Sequence, residues 1–257
     1  MNNRAFKKHL MSESVSLGCW LTLAHPAIAE IMSNAGFDWI AIDLEHSVIT
    51  IKEAEELIRV IELSGVAPLV RLTSNNEDQI KRVMDAGACG IIVPMVKTVD
   101  DVNKAVSFIK YPPRGIRGVG LARAQGYGSQ FEEYFKWQDE NSVVIIQIEH
   151  IDAVNNLEAL FSIKEVDGYI IGPYDLSASM GISGQFENKL FLSAMERIKT
   201  VASKLNMVGG IHIIEPDNQQ LKLRIEEGYK FIAYSLDVRM LDVASRSGVN
   251  FLNNINN

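Results

Sequence analysis

Cysteine is scarce. The 257 residues carry two, Cys19 and Cys89, neither in a CxxC pair nor in a Cys/His cluster. That excludes a disulfide-stapled scaffold and a zinc finger, and both thiols, set in apolar runs, are expected to be buried. No run of about 20 apolar residues exists, so no membrane-spanning helix is expected. The start, MNNRAFKKHLMSESVS, has no apolar h-region, so no secretory signal is read and a cytoplasmic location is expected. Long Lys/Arg blocks are also missing. With 25 Lys+Arg against 32 Asp+Glu the net charge is −7, which makes nucleic acid and anionic membrane poor partners. There is no GxGxxG after a first strand and no HxH or HExxH pair, which argues against a dinucleotide fold and against zinc.

What is present is a regular alternation. Apolar residues make up 47% and charged residues 22%, close to the globular average, so collagenous, low-complexity and wholly disordered chains are excluded. Short β-rich runs at 17–23, 39–44, 67–72, 90–96, 143–149, 168–172, 207–213 and 231–236 predict eight strands. Amphipathic patterns at 27–35, 51–64, 77–86, 99–110, 152–164, 190–205, 217–227 and 239–247 predict eight helices. In 51–64 the stripe is Ile51, Ala54, Leu57, Ile58 and Ile61, and Gly65 is a natural stop. Strands alternating with helices read as a parallel sheet, and near-continuous apolar strands mean both faces are covered. The expected fold is a single-domain (β/α)₈ barrel over 1–257, with an N-terminal extension at 1–14 and a polar tail at 248–257. An open doubly wound sheet is the competing fold. The segment 111–142, rich in Gly and Arg, is expected to be an ordered loop over the barrel mouth.

In such a barrel the active site lies at the C-terminal ends of the strands. The polar residues there are Asp43, Glu45 and His46, then Arg71, Gln147 and Glu149. The Gly172-Pro173-Tyr174-Asp175 turn, His212 and Asp237 complete the rim. Each alone has a structural reading, a helix cap or an ion pair; together on one rim they point to chemistry. Glu149 and Asp175, from adjacent strands, form a two-carboxylate set suited to Mg²⁺ or Mn²⁺, with sites left open for a bidentate 2-oxo acid. Gly172 permits close approach of a ligand, and the N–H groups of Tyr174 and Asp175 could take a substrate carboxylate. Arg71 could clamp a keto oxygen, and His46 is the first choice for proton transfer. Trp20 may equally wall the pocket or pack in the core. His212 has a structural role as readily as a functional one.

At these residues the sequence resembles the HpcH/HpaI family of class II, metal-dependent pyruvate aldolases. The matching stretches are FDWIAIDLEHS (37–47), VRLTSNNEDQIKRVMDAG (70–87), IIVPMV (91–96), YPPRGIRGVG (111–120), VVIIQIE (143–149) and IIGPYDLSASMG (170–181). The resemblance implies cleavage of a 4-hydroxy-2-oxo acid to pyruvate and an aldehyde, with a divalent cation (Mg²⁺, Mn²⁺ or Co²⁺) and no organic cofactor. It implies Glu149 and Asp175 as metal ligands and His46 in the acid/base machinery, oriented by Asp43 or Asp85. Arg71 would polarise the keto group, and Gln147 would hydrogen-bond substrate or a water on the cation. It also implies a homo-oligomer, a hexamer built as a trimer of dimers, with the last helix swapped onto a neighbour. The chain departs from the usual GPADLS and QIET by reading GPYDLS and QIEH, and has a shortened LARAQGYG connection. Those departures bear on the aldehyde. Three other functions compete: a citrate-lyase-like acyl-CoA ester lyase, a Schiff-base aldolase using Lys97, and a non-catalytic 2-oxo acid binder.

Overall fold

A computed structural model describes residues 5–255. Eight strands close into a parallel barrel in chain order. They are β1 (Ser16–Leu21), β2 (Trp39–Asp43), β3 (Ala67–Arg71), β4 (Gly90–Val93), β5 (Val143–Ile148), β6 (Gly168–Ile171), β7 (Gly209–Ile213) and β8 (Phe231–Leu236). All eight match the sequence reading to within a few residues. The open doubly wound sheet is excluded, because β8 pairs back onto β1.

The helices are specified locally. Ile51–Leu63 opens on a Thr50/Glu53 capping box and buries Ala54, Leu57, Ile58 and Ile61. Glu77–Ala86 is capped by Asn76 and stopped by Gly87 at φ +107. The predicted 152–164 helix is split into Ile151–Asn155 and Leu157–Phe161. Both cysteines are buried and neither forms a disulfide.

The N-terminal end of the barrel is plugged. In the predicted extension a short helix, Phe6–Leu10, buries Phe6 and Leu10 against a cluster containing Trp39 and Phe231. These two rings stack at 4.1 Å. Trp39 lies where a Cβ on Gly18 would be, 2.0 Å from Cδ2, so only glycine fits there. The plug leaves the opposite end, where the strands finish, as the place for a site.

The segment 111–142 is not a loop over the mouth. It contains a 3₁₀ stretch, Arg123–Gly128, and a helix, Phe131–Asn141. It joins the end of the Val99–Ile109 helix to the start of β5, so it lies at the plugged end. Arg123 there donates to the Ala86 carbonyl at 2.8 Å and pairs with Glu62, both at helix C-termini. The expectation failed because helices run antiparallel to the strands. A connection that leaves a helix and enters a strand emerges on the face away from the active site.

The last helix runs Asp237–Ile255, well beyond the predicted 239–247, so the supposed polar tail is helical as far as it is described; residues 256–257 lie outside the described residues. Asp237 is its only buried residue and accepts hydrogen bonds from the N–H groups of Thr22 and Leu23. Leu241, Val249, Phe251, Leu252 and Ile255 are exposed.

Candidate active site

Asp43 ends β2 beside Arg71, its register partner on β3. Its carboxylate takes Arg71 in two parallel bonds, Nε at 2.9 Å and Nη2 at 2.7 Å. The same Oδ1 accepts the backbone N–H groups of Glu45 and His46. Asp43 therefore fixes the guanidinium and the turn that follows β2. It reaches His46 through the backbone, not through the imidazole. The guanidinium lies 4.4 Å over the Trp20 ring, so Trp20 is both pocket wall and seat for Arg71.

Glu149 follows β5 and is buried. Its Oε1 accepts the Met95 N–H at 2.5 Å, and Gln147 Nε2 donates to its Oε2. β4 ends early for this reason. Met95 turns into the left-handed region at φ +53 and aims its N–H at the carboxylate, a backbone conformation costing about 1–3 kcal/mol for a non-glycine residue. Gly172 leaves β6 directly beside these groups, and Asp175 stands in the first turn of the Pro173–Ser179 helix.

The electrostatics are unbalanced toward negative charge. Burial raises the Glu149 carboxyl to about 7, against the Met95 N–H, with Glu45 and Asp175 adding to the rise. Burial likewise raises Glu45 to about 7; Arg71 opposes, and Asp43 and Asp175 reinforce it. Glu45 also lies 3.4 Å from Arg71 Nη1 and 3.8 Å from His46 Nε2. It was seen in the sequence as a strand-end acid but given no role. The signal was its place in Asp-Leu-Glu-His, which sends Asp43 and Glu45 to the same side of the chain.

Trp20, His46, Arg71, Gln147, Gly172, Asp175 and His212 line one cavity of about 250 Å³, closed below by Ile170. Three of its lining residues carry buried polar atoms with no hydrogen-bond partner: Gln147 Oε1, Trp20 Nε1 and His212 Nε2. Buried polar groups are nearly always satisfied, so such a set marks a place for a ligand. The same features test the fit of a divalent cation. Glu45 and Asp175 add to the rise at Glu149, and Asp175 adds to the rise at Glu45, a crowding of negative charge that a cation would relieve. A Cβ on Gly172 would fall 2.7 Å from Glu149 Oε2, so glycine keeps that space open. The oxygen donors suit a hard cation. No group of three or more His, Cys, Asp or Glu with metal-cage geometry occurs among the described residues. A cation here would thus rest on two carboxylates and keep open positions.

Asp85 and His46 lie apart within this chain. Asp85 closes the Glu77–Ala86 helix at the plugged end and pairs with the fully buried Arg117, which also bonds Tyr134 Oη at 3.2 Å. Within one chain it cannot orient His46 on the opposite rim. His46 itself is 64% exposed, with Glu45 3.8 Å from its Nε2. His150, beside Glu149, caps the Ile151–Asn155 helix by accepting the Asp152 N–H at Nδ1. Tyr174 is exposed and packs edge-on against Phe186 at 5.0 Å. Lys97 does not line the cavity, and neither does any other lysine.

Comparison with known proteins agrees with this architecture. The profile of the family described as HpcH/HpaI aldolase/citrate lyase matches residues 16–243. The chain is 35% identical over 239 residues to a hydroxypyruvate/pyruvate aldolase of Roseobacter denitrificans, covering 92% of each chain. It is 31% identical to a 5-keto-4-deoxy-D-glucarate aldolase of Escherichia coli, covering 96% of this chain and 97% of the other. The crystal structure of an HpcH/HpaI aldolase/citrate lyase family protein from Burkholderia cenocepacia superposes with a TM-score of 0.91 at 29% identity, covering 97% and 99%. The chain belongs to the HpcH/HpaI aldolase/citrate lyase family.

Proposed function

We propose that the rim cavity is the active site of a divalent-cation-dependent aldolase. It would cleave a 4-hydroxy-2-oxo acid to an aldehyde and pyruvate or a close 2-oxo acid, and run the reverse condensation. The observation that carries this reading is the grouping of Glu149, Asp175 and Glu45 close to one another, with the Arg71 guanidinium beside Glu45, at a cavity of small-molecule size lined by Arg71 and Asp175. The relatives named as aldolases support the reaction class.

Glu149 and Asp175 would hold Mg²⁺, Mn²⁺ or Co²⁺, and the cation would supply Lewis-acid polarisation of the keto oxygen. Arg71 is pre-oriented by Asp43 and by the Trp20 ring, so its N–H groups meet the keto oxygen without reorganisation. They stabilise the negative charge that gathers on that oxygen as C3–C4 breaks. Gln147 donates to Glu149 and lines the cavity with its Oε1 unpartnered, so it is placed to orient the bound acid. The C4 hydroxyl must lose a proton and C3 must gain one. His46 Nε2 stands at the cavity edge, next to Glu45, to move one of these protons.

The exposed apolar residues of the Asp237–Ile255 helix support a homo-oligomer in which this helix packs on a neighbouring copy. A hexamer is the expected size. No helix among the described residues is long and apolar enough to cross a membrane, and a cytoplasmic location fits the net charge and two cysteines that form no disulfide.

The test is condensation of pyruvate with a panel of aldehydes, using enzyme stripped by EDTA and then restored with Mg²⁺, Mn²⁺ or Co²⁺. Activity that returns with the cation supports the reading. Undiminished activity after stripping contradicts it, and trapping of the enzyme by borohydride with pyruvate would favour a Schiff base instead.

A further inference from the structure

A second, larger space adjoins the rim cavity. It measures about 790 Å³ against about 250 Å³, and Pro173, Tyr174, His212 and Ile214 line both. Its origin lies in the helix layer. Ile211 and Ile213 alternate with His212 along β7, so they lie on the opposite face of the strand. Both line the groove. The helix before β7, Lys189–Lys204, buries Phe191, Ala194 and Ile198. The helix after it, Asn218–Glu226, buries none of its residues. A loosely seated helix leaves the groove unfilled.

The walls are apolar. Tyr174, Phe186 and Phe191 form an aromatic row, the first pair meeting edge-on with centroids 5.0 Å apart and the second pair 5.3 Å apart. The row begins beside Asp175 and runs away from it, with Leu192 and Met195 in the same lining. Tyr174 and Leu192 are more than half exposed, so this wall is uncovered. The charges at the edge balance one another. Arg224 pairs with Glu227 at 2.7 Å and Arg239 with Glu215 at 2.9 Å, and Glu196 and Lys199 stand one turn apart on one helix. An anion meets no surplus of positive charge here, whereas an alkyl chain meets aromatic and aliphatic side chains.

We propose that this groove is the subsite for the side chain of the aldehyde, and that the protein prefers unbranched apolar aldehydes of several carbons to short ones. The proposal rests on the aldolase reading for the reaction. The rim cavity alone lies below the roughly 300–1,000 Å³ of ordinary small-molecule sites, and the groove lies within that range. The rim cavity takes the 2-oxo acid and the aldehyde carbonyl, and the aldehyde's substituent leaves along Pro173 and Tyr174. In condensation C3 of pyruvate gives up a proton and bonds to the aldehyde carbon, and the aldehyde oxygen takes a proton. No oxidant or reductant enters. The tail takes no part in these steps and contributes only by leaving water. Full burial of a CH₂ corresponds to about a fourfold gain, and an open groove covers about half of it, so each CH₂ should raise kcat/KM about twofold.

The experiment measures kcat/KM for condensation of pyruvate with propanal, butanal, pentanal and hexanal in the presence of Mn²⁺. Wild type, Phe186→Ala and Leu192→Asn are compared, with melting temperature as the control for folding. Both residues line the groove and neither lines the rim cavity. Leu192 is 52% exposed, so its variant preserves the test if Phe186→Ala fails to fold. Wild type should gain about eightfold from propanal to hexanal. Each variant should cut that gain to about two- to fourfold and leave propanal unchanged. A flat wild-type series, as a second copy seated over the groove would give, overturns the subsite. So does a rising series that both variants leave intact, or equal loss with every aldehyde, which would make Phe186 and Leu192 packing residues. Exchange of the pyruvate methyl protons with D₂O, measured without aldehyde, separates the two readings. Exchange together with a flat series refutes the groove alone; no exchange and no condensation refutes the aldolase reading, and the groove with it.

Discussion

Gly172→Ala perturbs the site by one methyl group. The backbone at Gly172 has φ −101 and ψ 87, which alanine tolerates, so the effect comes from space alone. The new Cβ would lie 2.7 Å from Glu149 Oε2, 2.8 Å from Glu149 Cβ and 3.2 Å from Gln147 Nε2. Ordinary contact begins near 3.4 Å, so the carboxylate must retreat by about 0.7 Å. It has little room, because Oε1 is held by the Met95 N–H and Cβ is fixed to β5. Overpacking of this kind costs about 1–3 kcal/mol of stability, which a barrel of this size survives. A misplacement approaching 1 Å at a reacting centre costs up to about 10²-fold in rate. The variant should fold, bind Mn²⁺ roughly 10–100-fold more weakly, as misoriented ligands do, and lose a similar factor in kcat. Mn²⁺ titration by electron paramagnetic resonance, with condensation assays at saturating cation, reads both. Wild-type affinity together with wild-type kcat would refute the placing of the cation beside Glu149.

Three further outcomes follow from the same geometry. Glu45 and Glu149 are raised to about 7, so between roughly pH 4.5 and 7 the folded state keeps protons that the unfolded chain has lost. The cation-free protein should therefore lose melting temperature as pH rises through that window, while Mn²⁺ affinity rises and levels off above it; a flat cation-free profile would contradict the assignment. Asp85→Ala leaves the buried Arg117 without its carboxylate and should cost about 3 kcal/mol in urea unfolding, with Mn²⁺ affinity retained; loss of activity without loss of stability would restore Asp85 to the site. His46→Ala should lower kcat by about 10²–10⁴-fold and leave pyruvate binding in place, and a kcat within a few-fold of wild type would remove His46 from proton transfer.

The barrel was legible because its signals are local. Thr50 and Glu53 cap one helix, Asn76 and Gly87 bound another, and the strands are continuous apolar runs. The rim residues were legible for the same reason: each strand turns polar where it leaves the core, at Asp43, Arg71, Gln147 and Asp175. What escaped depends on direction and distance. Asp85 looks like a site acid in sequence, and only the antiparallel run of its helix carries it to the plugged end beside Arg117. The segment 111–142, which carries Arg123, lies at the plugged end for the same reason. Glu45 shows its importance only when Glu149 and Asp175 are brought beside it from other strands. His212 resembles a core histidine in sequence, and only the structure shows it lining the cavity with its buried Nε2 unpartnered. The terminal helix was underestimated because Asn253 and Asn254 read as tail, whereas Leu241, Val249, Phe251 and Leu252 continue a helical stripe.

The central claim is that Arg71, which lines the cavity, and Glu149, beside the lining residues Gln147 and Gly172, activate the carbon next to a keto group with the help of a divalent cation. Exchange of the pyruvate methyl protons with D₂O, followed by proton NMR without any aldehyde, isolates that step. The account predicts exchange by wild type with Mg²⁺ or Mn²⁺, none above background after EDTA, and none in Glu149→Gln at any cation concentration. Exchange that continues in EDTA, or in Glu149→Gln at the wild-type rate, would contradict it.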